Sequence, residues 1–211
     1  MKEIKPIETE YNGYRFRSRL EARWAVFFDA AGIEYQYEPE GFDLGGGYYY
    51  LPDFFLPQIE LRDNRIGLYI EVKGVLSEDD KQKIRLFSGE EVYKDGKIQS
   101  ADDYWYYKCE APDESYPIMC VGQIPQGFDG GWTWHEANED EYYYWTFAHI
   151  DGDEYWCDFY KKKNGNVCVC GPDNDYMMDN GLEGFYAFND AFRIARQARF
   201  EHGEKPRVRR N

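Results

Sequence analysis

The chain has 211 residues and a formal net charge of −15, with 43% hydrophobic and 19% aromatic residues. That is the composition of a globular protein with one sizeable core, and it excludes a disordered chain. No apolar run approaches the roughly 20 residues of a membrane span, and Met1 to Glu10 is charged where a signal peptide would be apolar; the expected location is the cytoplasm.

In chain order, the first predicted element is a helix over 18–31. Ser18 with Glu21 three residues on fits a capping box, Leu20, Trp24, Phe27, Phe28 and Ala31 recur at helical spacing, and Gly32 suits the stop. Period-two sequence follows: Ile33, Tyr35 and Tyr37 alternate with Glu34, Gln36 and Glu38. Phe42 to Leu44 continues it after a bend, and Gly45 to Gly47 make a turn. Tyr48 to Leu56 is the next strand, confined by Pro52 and Pro57 to an edge or a bulge. Leu68 to Lys73 is an apolar strand ending in charge. Ser77 caps a second helix with Glu78, Asp79 and Asp80 in its first turn, where the helix dipole favours acid. A polar hairpin at Lys94 to Lys97 and a buried strand at Ile118 to Val121, with Cys120 as a core residue, complete an α/β order through residue 126.

Residues 127–185 differ, being rich in Trp, Tyr, Asp, Glu and Gly. Tyr142 to Ile150, Glu154 to Tyr160 and Val167 to Cys170 read as strands of a small β-meander, with Asn164-Gly165 as a hairpin turn. Residues 189–202 form a last helix with Phe192, Ala195 and Ala198 on its apolar strip, ended by Gly203 and Pro206. Arg193, Arg196 and Arg199 beside the strip read first as a solvated face and second as phosphate contacts. Residues 1–126 carry 15 basic and 24 acidic side chains, residues 127–185 carry 3 and 13, and residues 186–211 carry 7 and 3. The acid is therefore densest in the middle, and the tail is basic. A nucleic-acid binder usually has a basic face, so the overall charge argues against such a partner while its segregation leaves room for one.

The residues that carry chemistry lie early. Asp53 follows Pro52, and Glu71 and Lys73 are two apart, so they point to one face of their strand. Pairing the two strands as a hairpin would bring Asp53 near Glu71, with Glu21 leaning over from the first helix. Three converging carboxylates repel unless a cation sits among them. Mg²⁺, or Mn²⁺, suits a few carboxylate oxygens plus waters and can polarise a phosphate and activate water, while Lys73 would orient that water or stabilise phosphorane charge. Taken alone, Glu21 would only close its capping box, and Glu71 and Lys73 would be a solvated strand end. Their apolar neighbours Leu68, Ile70 and Val72 mark a buried strand, which makes those charges informative. Arg17, Arg19 and Arg23, around the first helical turns, are candidates for contacting backbone phosphate. Cys157, Cys168 and Cys170 have the spacing C-x10-C-x-C, without the CxxC knuckle or an obvious fourth ligand for zinc.

The segments YNGYRFRSRLEARWAVFFD, YEPEGFDL, YLPDFFLP and YIEVKG, between Tyr11 and Gly74, resemble the PD-(D/E)XK nuclease superfamily. Within it the pattern is similar to small phage and bacterial endonucleases, the transposon-end endonuclease of Tn7-like elements, and phage junction-resolving endonucleases. The tail AFRIARQARFEHGE resembles those of uncharacterised phage members. The resemblance implies a restriction-endonuclease-like αβββαβ core over 1–126, with a β-rich acidic module at 127–185 and a basic C-terminal helix and tail at 186–211. It also implies a Mg²⁺-dependent DNA endonuclease with Glu21, Asp53, Glu71 and Lys73 in the catalytic site and the three carboxylates as metal ligands. Partners would be DNA, a protein docked on the acidic module, and a second copy of the chain where two strands are cut. The competing reading is a binding protein on a nuclease-like scaffold, whose acidic, aromatic surface imitates nucleic acid and blocks a basic groove.

Overall fold

A computed structural model describes residues 6–61, 65–100, 116–124, 144–147, 158–170, 181 and 185–200. The chain opens with a hairpin, β1 (Thr9–Tyr11) and β2 (Tyr14–Phe16), turned by Asn12 and Gly13, both left-handed at φ 49° and 86°. Helix α1 (Arg19–Ala31) follows, with Ser18 as N-cap and Gly32 left-handed beyond its end. Then come β3 (Gln36–Tyr37), the small ribbon of β4 (Phe42–Asp43) and β5 (Tyr49–Tyr50), and the central hairpin of β6 (Phe54–Leu61) and β7 (Ile66–Val72). Helix α2 (Glu78–Ser88) carries a complete capping box between Ser77 and Asp80. A hairpin of β8 (Glu91–Lys94) and β9 (Lys97–Ser100) leads on to β10 (Ile118–Val121). Beyond lie β11 (Tyr144–Phe147), β12 (Asp158–Lys161), β13 (Val167–Cys170), a 3-10 turn (Phe185–Phe188) and α3 (Asn189–Gln197).

The architecture is mixed α/β. The main sheet runs β11-β10-β7-β6-β13-β12, with β3 also on β6. Its strands are mixed in direction: β6 and β7 are antiparallel, whereas β10 joins β7 and β13 joins β6 in parallel. Strand alternation sorts the side chains of β7 and β10 onto two faces. Leu68, Ile70, Val72, Met119 and Val121 enter one core with α1 and α3; Tyr69, Ile118 and Cys120 enter another with Ile84 and Phe87 of α2. Phe27 of α1 stacks on Phe192 of α3 with ring centroids 4.4 Å apart, and Trp24 Nε1 donates to the Gly122 carbonyl beyond β10. Among the described residues no helix is long and apolar enough to cross a membrane.

Several expectations are corrected. The strand anticipated from Tyr48 to Leu56 is two strands: β5 ends before Pro52, and β6 continues through Pro57 to Leu61. Pro57 sits where the β6–β7 register shifts between Leu56 and Glu60, an irregularity that tolerates its missing N–H. Only Gln36 and Tyr37 of the alternating run pair; beyond them Glu38 turns left-handed at φ 45° and ends the strand. The last helix stops at Gln197, with Ala198 extended, and Phe200 packs edge-on against Tyr11. Gly203 and Pro206 lie outside the described residues. Among the described residues the three strands do not join into a meander. β12 and β13 are a hairpin turned at Asn164-Gly165, but β11 sits at the opposite edge of the sheet, on β10. Strands from 127–185 thus border both sides of the strands from 1–126, although most of that segment lies outside the described residues.

Candidate active site

The β6–β7 register pairs Phe54 with Ile70, so one step outward sets Asp53 opposite Glu71. Phe54 and Ile70 face α1, which turns Asp53 and Glu71 toward the layer of α2. Asp53 Oδ2 accepts the Val72 N–H at 2.8 Å, which fixes the carboxylate against β7. Glu71 Oε2 accepts the Tyr50 hydroxyl at 2.6 Å, and its Oε1 lies 3.0 Å from Lys73 Nζ. Lys73 also reaches Asp80 Oδ1 at 3.4 Å, so the capping residue of α2 belongs to the same group of charges. Asp53, Glu71 and Glu21 are only 2%, 4% and 6% exposed, and therefore little of their charge is screened by water.

Glu21 comes from the helix on the other face. Its Oε1 accepts from Ser18 Oγ at 2.6 Å, and its Oε2 accepts from the Tyr37 hydroxyl at 2.8 Å and the Arg17 N–H at 3.1 Å. Ser18 Oγ accepts the Glu21 N–H as an N-cap should, but the Glu21 carboxylate answers through Ser18 Oγ and the Arg17 N–H, so the capping box is only half formed; the Glu21 charge also raises the proton affinity of Asp53. Its oxygens are drawn to the helix start, and among the described residues no three His, Cys, Asp or Glu side chains converge closely enough to cage an ion. Of the basic candidates, Arg17 lies directly on the site, with Nη2 2.6 Å from Asp53 Oδ1 and Nε 2.7 Å from Glu38 Oε1. Arg19 and Arg23 are half-buried along α1. Arg193 bonds Asp190 on its own helix, the geometry of a solvated face. Cys120 and Cys168 are buried in separate parts of the core, while Cys157 lies outside the described residues.

Burial raises the Asp53 pKa well above the carboxylate range, and the Glu71 and Glu21 charges raise it further; the Val72 N–H and Arg17 pull it down without prevailing. The 2.6 Å contact with Arg17 therefore does not offset the effect of burial on Asp53. Burial raises Glu71 as well, against Lys73 and Tyr50. For Lys73, burial acts downward but Glu71, Asp80 and Asp53 outweigh it, so the ammonium stays charged and serves as a donor, not a base. Tyr50 is raised well above its usual value by burial and by Glu71, and Tyr37 by burial and its bond to Glu21. Both phenols remain protonated donors that orient a carboxylate.

Tyr50, Tyr37, Glu38 and Asp80 are site residues that the sequence did not single out. Tyr37 and Glu38 lay in an ordinary alternating run, and Asp80 was already accounted for as a first-turn acid favoured by the helix dipole. Comparison of the chain with protein-family models, with curated proteins and with solved structures gives no match.

Proposed function

We propose that the protein is a metal-dependent endonuclease that hydrolyses phosphodiester bonds in DNA, built on a PD-(D/E)XK-like core. The observation that carries this reading is the buried Asp53–Glu71 pair on adjacent strands with Lys73 Nζ 3.0 Å from Glu71. Two buried carboxylates that face each other across adjacent strands repel when both are ionised, and a cation between them would relieve that repulsion. Such a set fits a hard divalent cation, since Mg²⁺ binds through one or two carboxylates together with waters and substrate phosphate. Asp53 and Glu71 would hold Mg²⁺ or Mn²⁺, with Glu21 joining if its carboxylate turns from Ser18 and Tyr37. The bound ion supplies Lewis-acid polarisation of the phosphodiester and a more acidic water.

The chain's own residues do the remainder. Tyr50 holds Glu71 in one orientation, and the Val72 N–H does the same for Asp53. Lys73, kept protonated beside Glu71, donates to the attacking water or to a non-bridging oxygen as negative charge grows on phosphorus. Arg17 supplies a second donor for the phosphate.

The test is incubation of supercoiled plasmid, linear duplex, single strand and a four-way junction with Mg²⁺ or Mn²⁺, beside EDTA and Asp53→Ala controls. Cutting that needs the metal and disappears in Asp53→Ala is expected. Cutting that persists in Asp53→Ala would sink the assignment. The net charge of −15 favours a second reading, in which the acidic surface imitates nucleic acid and binds a basic groove. A protein lacking Glu21, Asp53, Glu71 and Lys73 decides between them: inhibition of a DNA-binding protein that survives the fourfold replacement supports mimicry.

A further inference from the structure

Arg17 reaches a 3%-exposed carboxylate from a position that is itself 54% exposed. Its Nε and Nη2, the edge that ordinarily grips one carboxylate or phosphate in a fork, are instead divided between Glu38 at 2.7 Å and Asp53 at 2.6 Å. Its backbone is fixed, because the Arg17 N–H donates to both Glu21 Oε2 and the Tyr37 hydroxyl at 3.1 Å. The base of the side chain is thereby held in place, while its guanidinium stands half exposed at the mouth of the site. Glu38 is fixed too: its N–H donates to the Asp53 carbonyl at 2.9 Å, and it holds a left-handed φ of 45° that a glutamate adopts only at a cost. A strained acidic residue bonded to the backbone of Asp53, with its carboxylate on Arg17, is a second anchor built beside the first.

We propose that Arg17 is a switchable phosphate-binding arm: it gives up Asp53 when a divalent cation binds there, stays anchored on Glu38, and turns its guanidinium to the substrate phosphodiester. The proposal rests on the nuclease reading, since it needs a cation on Asp53. Two cations that share one carboxylate oppose each other, and the opposition is reciprocal. Arg17 then lowers metal affinity in the free protein and raises affinity for the nucleic-acid backbone, a combination that a purely structural ion pair would not produce.

Calorimetric titration of Mn²⁺ into the full-length wild type, Arg17→Gln, Arg17→Lys and Asp53→Asn proteins, without nucleic acid, tests the first half. Arg17→Gln is expected to bind at least about five-fold more tightly than wild type. Arg17→Lys, which keeps the charge without the fork, should fall between them and also serves if the glutamine variant does not fold. The second half is read from the KM for duplex DNA, which should rise about ten-fold in Arg17→Gln through loss of a charge-assisted bond. Unchanged or weaker Mn²⁺ binding in both Arg17 variants, with Asp53→Asn silent, overturns the arm and leaves the metal site standing. Tighter Mn²⁺ binding with an unchanged KM overturns the phosphate role. Binding in none of the proteins, or equal binding in Asp53→Asn, overturns the nuclease reading and the arm with it.

Discussion

At the scale of single residues, the site is organised by hydroxyl groups as much as by charge. Tyr50 is buried, its ring lies 5.0 Å from that of Phe87, and its hydroxyl holds one oxygen of Glu71. Tyr50→Phe keeps the ring packing and removes that bond. On the proposed nuclease reading Glu71 is a metal ligand, and groups that orient metal ligands typically contribute about 10–100-fold to affinity or activity; a loss in that range in the Mg²⁺ dependence of any cleavage is then expected, with little change in thermal unfolding. The buried acids also make a pH signature. A carboxyl whose native pKa lies above its unfolded value contributes stability that is complete below the unfolded value, about 4 for these groups, and is lost as pH rises through the native value. Asp53 and Glu71 are both raised. In EDTA, wild-type protein should therefore lose stability relative to Asp53→Asn as pH rises from about 4, and Mg²⁺ at neutral pH should narrow the gap. Thermal unfolding across a pH series checks this; a gap that widens toward acid would contradict the assigned direction.

At the scale of elements, α1 links the core to the site. Its first turn presents Glu21 through the Ser18 cap, and its apolar face packs under the sheet. Ser18→Ala should cost about 1 kcal/mol of stability, as N-caps generally do, and should also free Glu21 Oε1, visible as altered metal dependence. Helix α3 lacks a side-chain cap and ends without glycine, so its position depends on packing. Phe192 is buried and stacks on Phe27. Phe192→Ala should therefore cost about 3–5 kcal/mol, the usual range for a buried aromatic, measured by urea unfolding. A cost near zero would mean that α3 is not part of the cooperative core.

At the scale of the whole molecule, the sheet does not respect the compositional boundary near residue 126. Phe159, Val167 and Val169 from the β12–β13 hairpin enter the same core as Trp24 and Phe54, and β11 pairs along β10. A protein ending at residue 126 loses those side chains, Phe188 and Phe192 together, and exposes the edges of β6 and β10. It is expected to aggregate, or to unfold without a cooperative transition, while the full chain unfolds as one unit. A soluble 1–126 fragment with a sharp transition would show that this part of the chain folds alone.

Local signals were sufficient for much of this. Ser18, Gly32, Ser77 and Gly96 punctuate the chain through steric and hydrogen-bonding rules that act within a few residues, so both early helices and the β8–β9 hairpin were legible. The two-residue spacing of Glu71 and Lys73 likewise placed them on one face of a strand, and the alternation of Leu68, Ile70 and Val72 showed that the strand was buried. Tertiary structure decided what depends on partners distant in sequence. Asp53 meets Glu71 only through the register of β6 on β7, Tyr50 reaches Glu71 from a separate ribbon, and Arg17 finds Asp53 across 36 positions. The meander failed for the same reason: a strand's sequence specifies its alternation, whereas which edge it joins depends on where the rest of the chain leaves unpaired backbone and exposed apolar surface.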